Sequence, residues 1–296
     1  MRSRIAVLLL LGVVAAAVAA MAQEDKPYKQ AIDMVYGEVH GTGLLMDVFT
    51  PTGDRNGLAL VDVISGAWFS DRGKIRDHER AKMFDTFCAR GYTVFAIRPG
   101  SRPKYDGLEM LEHVRRGIRY VKAHAGVYGI DPERLALTGA SAGGHLASLA
   151  AVTAEPSKPD EKDPVERCDT HVKAAAVFFP PTDFLDWNGK RADMGHIEAI
   201  LFLGGLEGHS EEEIVARAKK LSPAYQLSGD LPPFLLIHGD ADPLVPLQQS
   251  ERLIEALKAA DGSAELIVKP GGGHPWPTIH EEVAVMADWF DKQLKD

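Results

Sequence analysis

Downstream of residue 57, short apolar runs with strand composition alternate with longer segments whose apolar residues recur at helical spacing. Strands connected through helices run parallel, because a parallel pair needs a crossover between its two strands. The alternation therefore predicts an α/β fold in which helices cover both faces of a mainly parallel sheet. The strand candidates are residues 58–64, 92–97, 135–138, 174–179, 234–237 and 264–268. Helices are predicted over 77–89, over 111–121, after His145, over 248–259 and over 279–294.

Two segments depart from this alternation. Near the N-terminus, residues 34–39 and 44–49 flank Gly41-Thr42-Gly43, which predicts a hairpin and hence antiparallel strands beside the parallel ones. Residues 181–230 carry Trp187, several charges and a short helical stretch over 211–220. We interpret this segment as an insertion over the sheet, and it is either a cap on a binding site or surface decoration.

The N-terminal segment has the three parts of a secretory signal peptide, namely Arg2 and Arg4, the apolar run 5–18, and the small-residue pattern Ala20-Met21-Ala22. The alternative is an uncleaved anchor helix, but the run is shorter than the roughly 20 residues that span hydrocarbon. We expect cleavage after residue 22, which leaves 23–296 as a secreted or periplasmic domain without a stable membrane span.

Composition limits the possible partners. The chain has 33 basic and 42 acidic residues, a net charge of −9, so nucleic acid is not an expected partner. Its two cysteines, Cys88 and Cys168, allow one disulfide at most, and a buried thiol is the favoured interpretation of Cys88. The chain has no Cys-x-x-Cys, no His-Glu-x-x-His and no acidic calcium loop, so neither a metal nor a cofactor is predicted.

One serine stands in an unusual local sequence. Gly139-Ala140-Ser141-Ala142-Gly143 lies between a strand candidate and a helix candidate, the setting in which Gly-x-Ser-x-Gly forms a sharp turn. The flanking glycines leave room for a tight turn that raises the hydroxyl above the sheet. At the start of the helix, the Ala142 amide would face a developing oxyanion. The pattern predicts a nucleophilic serine, and the alternative is an ordinary glycine-rich turn.

A serine nucleophile needs a base and an orienting carboxylate. In parallel sheets such groups gather at the carboxyl ends of the strands. His274, which follows three glycines after the last strand candidate, is the predicted base. The other histidines considered are interpreted as a buried structural residue, a brace for the serine turn and a solvated helix residue: His238, His145 and His280.

The predicted orienting carboxylate is Asp242, on the loop after strand 234–237. Asp240 and Asp183 are the alternatives, and Asp240 could instead cap its own loop. The order Ser141, Asp242, His274 along the chain matches a known order for this triad.

A second oxyanion donor should come from the loop after strand 58–64. Gly66 and Ala67 are small enough there for a close backbone approach, and their amides are the predicted donors beside Ala142. Trp68 on the same loop is predicted to line the acyl site or else to pack the loop. Trp187 in the insertion is a predicted substrate-binding residue.

From about residue 33 to residue 289 the chain resembles the α/β-hydrolase superfamily, in the secreted carboxylesterase branch akin to feruloyl and acetyl-xylan esterases and to the hormone-sensitive-lipase group. The resemblance lies in the serine motif extended through Gly144-His145 and in three further motifs: Gly129-Ile130-Asp131-Pro132, His238-Gly239-Asp240-Ala241-Asp242-Pro243-Leu244-Val245-Pro246 and Gly273-His274.

The resemblance implies Ser141 as nucleophile, Asp242 as acid and His274 as base, with the oxyanion loop on Gly66 and Ala67. The chain departs from this group at Ile64-Ser65-Gly66-Ala67, where its members often have His-Gly-Gly-Gly. Backbone amides can still act as oxyanion donors at this loop, but the range of acyl groups that the family accepts cannot be transferred to this chain.

The expected activity is hydrolysis of short-chain or carbohydrate-linked esters, such as acetyl or feruloyl esters, through an acyl-enzyme. A serine peptidase similar to prolyl oligopeptidases is the alternative enzyme, although no β-propeller precedes this domain. An inactive carbohydrate-binding or scaffold protein is the alternative from another class. The sequence leaves the oligomeric state open.

Overall fold

The computed structural model describes residues 26–189 and 194–295, and the predicted signal peptide lies outside these ranges. Within them the strands form one eight-stranded sheet in the order β1-β2-β4-β3-β5-β6-β7-β8. The hairpin strands β1 and β2 are antiparallel, and β2 is also antiparallel to β4, whereas all the other neighbours are parallel. The strand bounds are β1 Tyr28–Val39, β2 Thr42–Pro51, β3 Ala59–Val63, β4 Thr93–Arg98, β5 Leu135–Ala140, β6 Ala174–Phe178, β7 Phe234–Gly239 and β8 Ala264–Lys269.

Each face of the sheet has its own apolar core, because successive strand residues point to opposite faces. On one face Val61 and Val63 of β3 pack with the helix containing Val114 and Ile118. On the other face Leu60 packs in the same cluster as Phe84 and Phe290. The predicted parallel sheet with helices on both faces is thus confirmed. The described helices are α1 Arg72–Arg80, α2 Met83–Ala89, α3 Gly107–Ala123, α4 Ala125–Tyr128, α5 Ala142–Val152, α6 Met194–Leu201, α7 Glu211–Leu221, α8 Gln248–Ala259 and α9 Ile279–Lys295, with a 3₁₀ turn at Pro223–Tyr225.

The single helix predicted over 77–89 is wrong. The structure has α1 and α2 instead, separated where Lys82 adopts a left-handed backbone with φ of 61°. A left-handed residue interrupts the helical hydrogen-bond ladder, so Phe84, Phe87 and Cys88 belong to the second helix alone. The helix predicted to follow His145 begins earlier, at Ala142. Short helices α4 and α6 were not predicted.

Residues 181–189 and 194–230, the described parts of the segment 181–230, pack on the same face of the sheet as α3 and α5. Ile200, Ile214 and Leu221 from this segment are buried in that core, and Arg217 forms an ion pair with Asp106 at the start of α3. Whether it also covers a binding site stays a prediction.

Cys88 is buried as expected, and both cysteines are free thiols. No helix within residues 26–189 and 194–295 is long and apolar enough to cross a membrane.

Candidate active site

Ser141 occupies a sharp turn between β5 and α5. Its backbone φ is 53° and its ψ is −121°, a conformation that L-residues rarely adopt and that marks local strain. The flanking glycines are sterically required. A Cβ on Gly139 would lie 2.5 Å from the backbone of Gly143, and a Cβ on Gly143 would lie 2.1 Å from the Val63 carbonyl oxygen. The Ser141 amide donates to the Phe178 carbonyl at 3.0 Å, which fixes the turn to strand β6.

The hydroxyl of Ser141 meets His274, although 133 residues separate them in the chain. The distance from Ser141 Oγ to His274 Nε2 is 2.9 Å, and His274 Nδ1 lies 2.6 Å from Asp242 Oδ2. Because a carboxylate can only accept, Nδ1 carries the hydrogen and Nε2 offers its lone pair to the serine hydroxyl. The three side chains come from the carboxyl ends of β5, β7 and β8 and form a continuous hydrogen-bonded chain suited to proton transfer.

Asp242 is held from both of its oxygens. Oδ2 accepts from His274, while Oδ1 accepts from the amides of Leu244 at 2.8 Å and Val245 at 2.9 Å. Its side chain is fully buried. Burial alone would raise the pKa of Asp242, but the nearby His238 and the hydrogen bond from His274 outweigh this and hold that pKa well below its ordinary value. The carboxylate therefore stays ionised and orients the imidazole.

The two alternative carboxylates, Asp240 and Asp183, accept hydrogen bonds from groups other than His274. Asp240 is exposed, and its Oδ1 accepts from the Gly271 amide at 2.6 Å, so it caps its loop. Asp183 accepts from two local amides and from the Tyr225 hydroxyl at 3.0 Å. The structure thus brings Asp242, and neither alternative, to His274.

His145 and Trp68 form a buried pair beside the serine turn. Trp68 Nε1 donates to His145 Nδ1 at 3.1 Å, and His145 Nε2 donates to the Leu221 carbonyl at 2.7 Å. Burial lowers the pKa of His145 to about 4, so this ring is neutral. The indole is only 6% exposed and packs near Phe184. This position fits the loop-packing interpretation of Trp68, and its role in substrate binding stays a prediction.

The predicted oxyanion loop is a two-residue turn. Ala67 and Trp68 have φ values of 48° and 60°, as in a type I′ turn. The Gly66 amide donates to the Phe69 carbonyl at 2.9 Å, and the Phe69 amide donates back. Gly66 is therefore already engaged, which argues against the prediction that its amide receives an oxyanion.

The other two predicted oxyanion donors differ from Gly66, because their amides are not already hydrogen-bonded to a residue that the structure describes. Within the described ranges no group accepts a hydrogen bond from the amide of Ala67 or of Ala142. The Gly143 amide donates to the Ser65 carbonyl at 2.9 Å, which ties this loop to the start of α5. Ala67 and Ala142 are thus the residues of the predicted set whose amides are available to donate to an oxyanion.

Phe179 is a site residue that the sequence analysis missed. Its backbone is left-handed with φ of 35°, its side chain is 3% exposed, and its ring centroid lies 4.3 Å from that of His274. It ends a strand candidate of uniformly apolar residues, and no signal distinguishes it from a core residue. The ring forms an apolar wall behind the imidazole.

Three other considered residues lie apart from this hydrogen-bonded chain. Trp187 is partly buried and packs against the core on the α3 side, as does Phe202 from the same predicted insertion, and His280 is exposed on α9. The substrate-binding role of Trp187 stays a prediction. Across residues 26–189 and 194–295, no group of three or more His, Cys, Asp or Glu side chains is arranged to hold a metal.

The family model and the curated relatives that this chain matches agree on one class of protein, the esterases. The BD-FAE family model matches residues 46–257, more than half of the chain. A probable carboxylic ester hydrolase of Mycobacterium tuberculosis, LipM, is 31% identical over 244 residues, which cover 79% of this chain and 53% of LipM. Esterase LipQ of the same organism is 28% identical over 243 residues, covering 78% of this chain and 53% of LipQ. The chain therefore spans about half the length of the curated relatives it matches.

Among solved structures, a truncated carbohydrate esterase from gut microbiota superposes with a TM-score of 0.78 at 26% identity, covering 92% of this chain and 99% of that one.

Proposed function

Because the chain belongs to the BD-FAE family of α/β-hydrolases, we propose that it is a serine carboxylic-ester hydrolase acting through Ser141, His274 and Asp242. The observation that carries the proposal is the continuous hydrogen-bonded chain from the serine hydroxyl to a buried, ionised carboxylate. The ester-hydrolase names of LipM and LipQ support the same reaction class.

In the first half-reaction, Ser141 Oγ attacks the ester carbonyl carbon while His274 Nε2 takes the hydroxyl proton. The carbonyl oxygen becomes an oxyanion, which the amides of Ala142 and Ala67 stabilise. Collapse of this intermediate breaks the bond to the alkoxy oxygen. The imidazolium returns its proton to that oxygen, so an alcohol leaves and the acyl group stays on Ser141.

In the second half-reaction, water replaces the alcohol. His274 takes a proton from the water as it attacks the acyl carbon, and then protonates Ser141 Oγ as the carboxylic acid departs. Asp242 keeps the imidazole in the Nδ1–H tautomer and stabilises its positive charge in both steps. Both half-reactions use the same chain of hydrogen bonds.

For the substrate we propose short-chain or carbohydrate-linked esters, such as acetyl or feruloyl esters. The carbohydrate esterase among the superposed structures supports this class. We also propose cleavage after residue 22 and a secreted or periplasmic location, which N-terminal sequencing of the exported protein tests. Steady-state rates on acetylated xylan, methyl ferulate and p-nitrophenyl esters of increasing chain length would identify the preferred acyl group.

A fluorophosphonate probe tests the nucleophile directly. We expect labelling of the wild type at Ser141 and no labelling of Ser141→Ala. Ser148→Ala is the matched control, because Ser148 is a buried serine of the same helix α5 and this variant should label as the wild type does. Absence of labelling in the wild type would favour the binding-protein alternative. Labelling together with cleavage of peptides in preference to esters would favour a peptidase.

A further inference from the structure

A second histidine lies behind the carboxylate of Asp242. His238 is the fifth residue of β7, its side chain is completely buried, and it takes no part in the reaction derived above. Its Nε2 lies 2.8 Å from the Val245 carbonyl oxygen, and its Nδ1 lies 2.7 Å from Ser250 Oγ on α8. Because a carbonyl can only accept, Nε2 carries the hydrogen, and in the neutral ring Nδ1 accepts from the Ser250 hydroxyl.

The same Nε2 also lies near the triad carboxylate. It is 3.6 Å from Asp242 Oδ2, the oxygen that His274 uses. The loop 242–245 closes on itself, since Asp242 Oδ1 accepts from the amides of Leu244 and Val245. The hydrogen bond from His238 to the Val245 carbonyl therefore fixes the segment whose amides hold Oδ1, while the Nε2–H group faces Oδ2.

We propose that His238 is a positioning residue that keeps the Asp242 carboxylate aimed at His274, by fixing loop 242–245 through the Val245 carbonyl and by directing its Nε2–H group towards Oδ2. This inference rests on the proposed function, since it assigns His238 a role in that same site. The Val245 carbonyl determines that Nε2 carries the hydrogen, and the Ser250 hydroxyl holds the ring at its Nδ1.

Among the described residues, few other titratable groups face His238 and Asp242, so the effect of the His238 hydrogen bond on His274 can be measured separately. From the loop after β8, the titratable group facing Asp242 is His274. From α8 the contact is the hydroxyl of Ser250, and from the end of β6 it is the uncharged ring of Phe179, 6.3 Å from His238. Asp240 on the same loop is engaged by the Gly271 amide. A change of hydrogen bonding at His238 is therefore transmitted chiefly through Asp242 to His274.

Loss of the donor has two consequences for His274. The carboxylate is held less firmly, so the imidazole is misplaced in part of the population and kcat falls. The negative charge of Asp242 also loses the Nε2–H dipole that faces Oδ2 at 3.6 Å, which favours protonated His274 and moves the acid limb of the kcat/KM profile to higher pH. A residue that only fills space would change neither the pH profile nor the Asp242–His274 hydrogen bond.

The experiment compares His238→Leu, which has no donor, with His238→Gln, whose amide can replace the Nε2–H group. We expect His238→Leu to lower kcat on p-nitrophenyl acetate by on the order of 10- to 100-fold with KM within about twofold. The acid limb should move to higher pH, and His238→Gln should recover most of both effects. His78→Leu is the control, because it also removes a buried histidine that is bonded to an aspartate.

A second measurement does not depend on ester hydrolysis. The low-field proton NMR signal of His274 Nδ1–H reports its hydrogen bond to Asp242 in the free protein. It should weaken or shift in His238→Leu and, by a smaller amount, in Ser250→Ala, and remain in His78→Leu. Ser250→Ala supplies this readout if His238→Leu does not fold.

An unchanged signal with an unchanged pH profile would overturn the proposal, and so would a His238→Gln variant no better than His238→Leu. A wild type without esterase activity but with the expected NMR changes would refute the proposed function and leave the positioning role in place.

Discussion

Within residues 26–189 and 194–295, two buried histidine–aspartate pairs are joined by a short hydrogen bond and are almost identical as pairs. His274 Nδ1 lies 2.6 Å from Asp242 in the candidate site, and His78 Nδ1 lies 2.7 Å from Asp62 between α1 and β3. Both carboxylates are fully buried, and the histidine side chains are 11% and 10% exposed. A short distance between imidazole and carboxylate therefore does not distinguish a catalytic base from a structural contact.

The difference lies in the remaining atoms of each pair. The second nitrogen of His274 meets the Ser141 hydroxyl, and the second oxygen of Asp242 accepts two backbone amides. In contrast, Oδ1 of Asp62 accepts no hydrogen bond from the residues that the structure describes. The candidate-site pair has hydrogen-bond partners on both sides, which suits the proposed role, in which its charge must be held in place while a proton moves.

Position in the sheet explains this contrast. Asp62 is the fourth residue of β3 and pairs in register with Ala96 and Thr138 of the neighbouring strands, so it is enclosed by the sheet. Asp242 and His274 follow their strands, on loops at the carboxyl edge where a substrate can approach. Four predictions would break or sharpen the comparison, beginning with the largest expected effect.

Ser141→Ala should lower kcat on p-nitrophenyl acetate by about 10⁶-fold, the scale reported for loss of a triad nucleophile. The reason is that His274 would then have no hydroxyl to deprotonate. Circular dichroism and thermal unfolding should match the wild type. Activity close to the wild type would remove Ser141 from the mechanism. The contact with Ser141 would then no longer distinguish the His274–Asp242 pair from the His78–Asp62 pair in function.

The two aspartates should respond differently to the same change. Asp242→Asn should reduce kcat by about 10⁴-fold, because an amide no longer holds His274 in the productive tautomer. Asp62→Asn should leave kcat/KM within about threefold, since Asp62 bonds to His78 and not to His274. Comparable losses in both variants, measured in the same assay, would contradict the assignment of Asp242.

His78→Leu should affect stability and not catalysis. It leaves Asp62 buried without its partner, and removal of one member of a buried ion pair costs about 3–5 kcal/mol. The free energy of unfolding, measured by urea denaturation, should fall by this amount while kcat/KM is retained. The double variant His78→Leu with Asp62→Leu should recover part of the loss, because it leaves no unpaired charge.

The two pairs should also respond oppositely to pH. Burial alone would lower the pKa of His78, but the charge of Asp62 and the hydrogen bond to it raise that pKa above its ordinary value. The stabilisation from protonated His78 is therefore complete below about pH 6.5 and is lost as pH rises through the raised value in the folded protein.

The stability difference between the wild type and His78→Gln should thus shrink on going from pH 6 to pH 9. Over the same range kcat/KM should rise to a plateau, because only neutral His274 accepts a proton. A stability difference that grew with pH would refute the assignment of charge to His78.

Much of the fold and of the candidate site can be predicted from local sequence, and particular residues show which features cannot. Gly139 and Gly143 mark the turn at Ser141, because a Cβ at either position would overlap backbone. The chain itself does not mark Lys82, whose left-handed backbone divides one predicted helix into two. The engagement of the Gly66 amide by Phe69 also depends on a turn type that the sequence Ala67-Trp68 does not specify.

The sequence favours Asp242 as the orienting carboxylate but leaves Asp240 and Asp183 as alternatives. All three follow strands at the same edge, and only their hydrogen bonds separate them. The likeness of the His78 pair to the His274 pair is invisible in sequence, since its members lie 16 residues apart in no recognisable pattern.

The order of the strands has a consequence for biosynthesis. Ser141 follows β5 in the middle of the sheet, but the histidine that would activate it follows β8, an edge strand and the last of the described strands along the chain. A nascent chain or proteolytic fragment that stops before β8 thus carries the serine in an inert form. Hydrolytic activity would therefore report that translation has passed residue 274 and that the final strand has docked.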